Sequence, residues 1–181
     1  MMKYKAVLFD MDGTLLDTLT DLADAVNHIL SVHGWPLRTT EEVRAFVGNG
    51  ARRLMERAVP PEVTGGDFEA VLTEYRDWYQ THNCVATAPY PGIPALLAAL
   101  AKAGIKTAVV SNKPDATTKT LAARFFPGLP AFGQRDDVPP KPAPDLVFRA
   151  LETLGVDAAD AIYVGDSEVD VATARNAGLP L

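Results

Sequence analysis

The sequence predicts an α/β domain built on a parallel sheet and interrupted by an all-helical insertion. Three observations carry that expectation. Short apolar runs each end in polar residues, and amphipathic helical stripes alternate with them from about residue 92 onward. The long stretch between the first and second runs holds helical stripes but no strand pattern.

The first run, Tyr4-Lys5-Ala6-Val7-Leu8-Phe9, is bounded by Asp10 and Gly13 and suits a strand buried on both faces, as in parallel sheets. Leu22, Val26, Ile29 and Leu30 then share one helical face. Thr39-Thr40-Glu41-Glu42 offers a capping box for a short helix, because a Thr hydroxyl and a carboxylate three residues on can satisfy the first turn's amides. Phe68, Val71, Leu72, Tyr75 and Tyr79 form another stripe. A parallel crossover needs only a dozen or so residues, and the roughly 90 here far exceed that. The excess predicts a helical domain inserted at 15–85, with 1–14 and 86–181 forming the α/β core.

Beyond the insertion, Ile93, Leu96, Leu97 and Leu100 follow helical spacing, with Gly104 as a stop. Ile105 to Val110 reads as a second strand, and Ala131-Phe132-Gly133 as a short third one. Leu146, Val147, Ala150, Leu151 and Leu154 form a helix face, with Pro144 near its start and Gly155 past its end. Ala161-Ile162-Tyr163-Val164 closes the series.

Composition narrows the function classes. The 181 residues include 17 Lys and Arg against 23 Asp and Glu, a net charge of -6, with 48% hydrophobic residues. The single cysteine, Cys84, excludes an internal disulfide framework and cannot by itself build a zinc site. No apolar run approaches the ~20 residues that span a bilayer, and the one after Lys3 and Lys5 is too short for a signal peptide. The acidic balance argues against nucleic-acid and anionic-membrane partners, since phosphate backbones attract basic surfaces. A cytoplasmic protein acting on a small molecule is expected.

The chemistry is expected where the strands end. Asp10-Met11-Asp12-Gly13-Thr14 follows the first strand, Ser111-Asn112-Lys113 the second and Gly165-Asp166-Ser167 the last, and ligands of open α/β sheets bind outside the strands' carboxyl ends. If the chain stays extended, Asp10 and Asp12 point to the same face. Asp166 and Asp170 stack if a helix starts after Gly165. Four carboxylates in one crevice repel one another unless a cation joins them. Lys141, stiffened by Pro142 and Pro144, is the chain cation with an obvious route in, and one lysine does not offset four carboxylates. An oxygen-only donor set favours Mg2+ over zinc. Beside such an ion Asp10 is a competent nucleophile toward phosphorus, and Asp12 is placed for proton transfer. Ser111 with its neighbour Asn112, Lys141 and the side-chain-free Gly13 are candidates to hold the phosphoryl oxygens.

These segments resemble the four signatures of the haloacid dehalogenase superfamily, in the family's order: Asp10-Met11-Asp12-Gly13-Thr14, Val110-Ser111-Asn112-Lys113, Lys141-Pro142, and Gly165-Asp166-Ser167-Glu168-Val169-Asp170. The resemblance implies a Rossmann-like core with a helical cap inserted after the first signature. It makes Asp10 the nucleophile and a metal ligand, and Asp12 the general acid/base that also lends its carbonyl to the metal. It makes Ser111 and Lys141 phosphoryl ligands, Asp166 a metal ligand, and Asp170 a support of the metal site. Dehalogenase members lack the second aspartate of the first signature, so Asp12 favours phosphate chemistry. Val47-Gly48-Asn49-Gly50-Ala51 and Leu54-Met55-Glu56-Arg57-Ala58 resemble the cap of bacterial phosphoglycolate phosphatases. That similarity implies a magnesium-dependent phosphatase of 2-phosphoglycolate working through an aspartyl phosphate. Members usually continue past Gly178-Leu179-Pro180-Leu181 with another strand. A missing C-terminal strand would leave 161–164 as an exposed edge and lower the stability.

Alternatives stay open at this point. A β-phosphoglucomutase-like sugar phosphomutase shares the four signatures, and a truncated chain could be inactive. A calcium loop needs its glycine at position 6 and Glu at 12, and here Gly13 is fourth from Asp10. Arg52 or Arg53, with Asn49, could clamp a small acid's carboxylate, or simply form a solvated helix face. His28, His33 and His82 show no metal-like spacing, and Cys84 reads as a passive small residue. Monomer and homodimer are both compatible with the sequence.

Overall fold

The computed structural model describes residues 3–180. The chain divides into two compact units, one closing at Asp17 and resuming at Pro89, the other running Thr18–Ala88.

The first unit is built on four parallel strands: β1 (Ala6–Phe9), β4 (Lys106–Pro114), β5 (Ala131–Gln134) and β6 (Ala161–Val164), in the order β5-β4-β1-β6. A two-residue ribbon, β2 (Leu16–Asp17) with β3 (Ala88–Pro89), forms at the joins of the chain. The register aligns the strand ends: Phe9 lies between Val109 of β4 and Val164 of β6. Asp10, Ser111 and Gly165 follow those positions, so the sheet itself gathers the three polar segments at one edge.

Alternate strand residues face one side, which explains why Ala6, Leu8, Ala108, Val110, Ala161 and Tyr163 enter a single buried cluster. Helix α7 (Asp145–Leu154) covers that face with Leu146, Val147, Ala150, Leu151 and Leu154, and Gly155 ends it in the left-handed conformation. Helix α8 (Glu168–Asn176) adds Ala174. Helices α5 (Ile93–Lys102) and α6 (Asp115–Phe125) flank β4 in the chain. The stripe read in α5 forms a helix, yet none of its residues is fully buried, and Leu96 is 43% exposed. On its outer side β6 pairs with no strand among the described residues, though its Tyr163 amide donates to the Pro180 carbonyl at 2.9 Å.

The second unit packs α1 (Leu19–Val32), α2 (Thr40–Phe46), α3 (Gly50–Ala58) and α4 (Gly65–His82) around one core. Leu22, Val26, Ile29 and Leu30 meet Phe68, Val71, Leu72, Tyr75 and Tyr79 there, as the two stripes require. The capping box forms at Thr39, whose hydroxyl accepts from the Glu42 amide while Glu42 accepts from the Thr39 amide. Among the described residues no helix is long and apolar enough to cross a membrane.

Candidate active site

Asp10 follows directly on β1, and its amide donates to the Val164 carbonyl at 2.9 Å, which pins the segment against β6. Its carboxylate accepts from the Met11 amide at 2.7 Å and faces the ammonium of Lys141 at 3.0 Å. Lys141 is 3% exposed and also donates to Asp170 at 2.7 Å and to the Tyr163 hydroxyl at 3.2 Å. Its main chain is held as firmly, because Asn112 accepts from the Lys141 amide at 2.7 Å and donates to its carbonyl at 3.0 Å. Asn112, a candidate for binding phosphate, therefore places its amide group on the Lys141 backbone.

Asp166 and Asp170 come together with Asp10, though not by stacking along a helix. Asp166 precedes Ser167, the N-cap of α8, and Asp170 lies in that helix's first turn. Ser167 and Asp170 form a reciprocal capping box, with the Ser167 amide at 3.0 Å and its hydroxyl at 2.5 Å from the Asp170 carboxylate. Thr14 donates to Asp166 at 3.0 Å. Oxygens from Asp10, Asp166 and Asp170 all lie within 4.8 Å of one another. Two glycines make this approach possible. A Cβ on Gly13 would collide with the Asp166 carboxylate, and one on Gly165 with that of Asp170.

Charge and burial set the electrostatics. Burial pushes the Asp10 carboxyl up to about 6; Lys141 opposes that rise, and the charges of Asp170 and Asp12 add to it. Burial also raises Asp166. In Asp170 burial acts upward too, but Lys141 and Ser167 outweigh it and hold the carboxyl below its ordinary range. Burial would lower Lys141, but Asp10, Tyr163 and Asp170 overcome it and keep the ammonium charged. Three carboxylates against one ammonium leave an excess of negative charge among oxygen donors, with no His or Cys in the set. A hard divalent cation fits that donor set.

Asp12 departs from the expectation of four carboxylates in one cluster. The chain turns at Met11 instead of staying extended, and Asp12 joins a turn bridged to Leu16. Its two carboxylate oxygens accept from the ammonium of Lys113 at 2.9 and 3.0 Å. Lys113, 4% exposed, is a second buried cation, where the sequence pointed to Lys141 alone. An irregularity in β4 places it: Val110 pairs with Phe132 and Pro114 with Gln134, so Ser111, Asn112 and Lys113 bulge from the ladder. Ser111 lies in this bulge, 2% exposed, with its hydroxyl accepting from the Lys113 amide at 3.3 Å. Tyr163, which the sequence offers only as part of a strand, donates to the Val110 carbonyl at 3.0 Å. Its strand position carried no signal beyond core packing.

Asn49, Arg52 and Arg53 belong to the helical unit. Arg52 forms a two-pronged pair with Glu69 at 2.8 Å, Arg53 pairs with Glu56 at 2.7 Å, and Asn49 accepts from Arg57 at 3.2 Å. His28 and His82 stack on Trp78 and His33 on Trp35, while His33 also pairs with Glu74 at 2.8 Å and His82 lies 2.9 Å from the Trp78 carbonyl.

Comparison with known proteins bears on this arrangement. The haloacid dehalogenase-like hydrolase family matches residues 4–178. The chain belongs to that family. Among its relatives, the N-acetylmuramic acid 6-phosphate phosphatase of Pseudomonas aeruginosa is 36% identical, over 98% of this chain and 80% of that protein. A plasmid phosphoglycolate phosphatase of Cupriavidus necator is 38% identical over 97% of this chain and 78% of its own length. A solved structure from Lactobacillus delbrueckii subsp. bulgaricus, provisionally described as a phosphoglycolate phosphatase, matches with a TM-score of 0.93 at 36% identity, covering 99% of this chain and 85% of that one. CbbY from Rhodobacter sphaeroides, solved with phosphate, matches with a TM-score of 0.73 at 26% identity, covering 97% and 84%.

Proposed function

We propose that this chain is a magnesium-dependent phosphomonoester hydrolase that works through a phosphoryl group carried on Asp10. One observation supports this most: Asp10 faces the acidic cluster and Lys141, while Asp12, two residues on, is held apart on Lys113. Two carboxylates in different surroundings suit two different tasks. Asp10 attacks phosphorus through a carboxylate oxygen, and the ester P–O bond breaks as Asp12 gives a proton to the leaving oxygen. Asp12 then takes a proton from a water that attacks the same phosphorus. The P–O bond to Asp10 breaks, releasing inorganic phosphate and restoring both aspartates. Lys141 and Ser111 hold phosphoryl oxygens, and Asn112 fixes Lys141 in place. Asp10 and Asp166, with the Asp12 carbonyl and with Asp170 behind them, would hold Mg2+, which when bound supplies positive charge against the phosphoryl oxygens.

The substrate is a small phosphate ester of a carboxylic acid, with 2-phosphoglycolate the first candidate. The names of the relatives from Cupriavidus necator and Pseudomonas aeruginosa both denote phosphorylated acids. Arg52 or Arg53 is the candidate to receive the carboxylate, because each is held by a glutamate in a partly exposed ion pair, and pairs of that kind are readily exchanged. The test is a phosphate-release assay with magnesium over 2-phosphoglycolate, N-acetylmuramic acid 6-phosphate and glucose 1-phosphate, with Asp10→Asn as blank. Phosphate release from an acid without a bisphosphate activator is expected. Isomerisation of the sugar phosphate that needs such an activator would mark a phosphomutase instead.

A further inference from the structure

We propose that Lys113 is a positioning residue for Asp12, holding its carboxylate apart from the acidic cluster so that it serves proton transfer and does not become another cation ligand. The inference rests on the reading of Asp12 given above. Its basis is geometric. The Lys113 ammonium donates to both oxygens of Asp12, at 2.9 and 3.0 Å, with its own side chain 2% exposed and that of Asp12 16% exposed. A carboxylate gripped by both oxygens has one orientation, and a catalytic acid or base depends on orientation to reach its proton. Among the described residues the clustered carboxylates are Asp10, Asp166 and Asp170, without Asp12.

The fold is built to deliver this lysine. The β4 bulge turns Lys113 into the site, and the carbonyl of Lys113 accepts from the Thr118 hydroxyl at 3.1 Å. Gly133 of β5 lies so close that a Cβ there would meet the Asp115 main chain, the Thr118 hydroxyl and the Lys113 carbonyl at 2.5 to 2.7 Å. The segment that aims Lys113 is thus backed by main chain and has little freedom to shift.

A double-mutant cycle on the full chain tests the proposal, with magnesium and the best ester from the phosphate-release assay. Lys113→Met removes the donor, Lys113→Gln keeps one N–H, and each is made in the natural and the Asp12→Ala backgrounds. In the natural background kcat is expected to fall at least tenfold for Met and less for Gln, with KM changed less than twofold. In the Asp12→Ala background neither change lowers kcat further. Equal losses in both backgrounds, or a loss confined to KM, would overturn the positioning role. Should Lys113→Met fail to fold, the Gln variant carries the same comparison. If Asp12→Ala alone leaves turnover intact, the reading of Asp12 itself fails, which is a separate result.

Discussion

Single atoms decide this site at the residue scale. Gly13 has φ +81°, and a methyl group there would occupy the space of the Asp166 carboxylate. Gly13→Ala combines a backbone strain of about 1–2 kcal/mol with displacement of a candidate metal ligand. We expect its kcat to fall more than tenfold, with a higher magnesium requirement, in assays over a magnesium series. Tyr163→Phe removes a hydroxyl between Lys141, Asp170 and the Val110 carbonyl, and denaturant unfolding is expected to show a loss of about 1–3 kcal/mol. Legibility followed the same scale. Asp10, Ser111 and Asp166 stood out because each follows a strand-like apolar run, Lys141 because prolines stiffen its segment, and Asp170 because it lies four residues beyond Asp166. Lys113 and the true direction of Asp12 were not, because both depend on a bulge and a turn that strand alternation does not foretell.

At the scale of elements, the clearest device is Asp21 in α1. Buried at 1% exposure, it accepts from the amides of Val85, Ala86 and Thr87 at 3.0, 2.8 and 2.9 Å, and from the Thr87 hydroxyl at 2.6 Å. These bonds tie the chain leaving α4 back onto α1. Burial acts upward on the Asp21 carboxyl, but its hydrogen bonds prevail and hold it below the ordinary range. A carboxyl lowered by folding stabilises above its unfolded pKa, and that contribution disappears as pH falls through the folded value. Asp21→Ala is therefore expected to cost about 2–4 kcal/mol at pH 7, because several donors lose their acceptor together. Urea unfolding should show the gap between variant and natural protein narrowing in strong acid. The helical stripes, the Thr39 capping box and the Gly155 stop were all legible, since each is a local pattern. Asp21 was not, because its partners lie more than sixty positions along the chain and no local rule joins them.

At the scale of the whole molecule, the sheet register produces the site. Aligning Phe9 with Val109 and Val164 places three distant segments side by side, and parallel α/β topology makes that alignment readable from strand and helix order. The arrangement has a thermodynamic signature. Asp10, raised to about 6, binds its proton more tightly in the folded chain than in the unfolded one. Its contribution to stability is present below the unfolded value of 3.8 and is lost as pH rises through about 6. If the ionised cluster holds magnesium as proposed, binding would reverse that loss, by about 2.7 kcal/mol at a hundredfold excess over Kd. Melting curves should show a magnesium-induced rise in Tm that is larger at pH 8 than at pH 5. A Tm indifferent to millimolar magnesium at both would remove the metal from the account.

Asp10 is the residue proposed to receive the phosphoryl group. Its most direct test is mass spectrometry of Asp12→Ala, acid-quenched after mixing with magnesium and 2-phosphoglycolate, or whichever ester releases phosphate fastest from the natural protein. One added phosphoryl group is expected on the peptide bearing Asp10, absent when Asp10→Asn is combined with Asp12→Ala. An unmodified Asp10 peptide, while Asp12→Ala still turns over as fast as the natural protein, would contradict it.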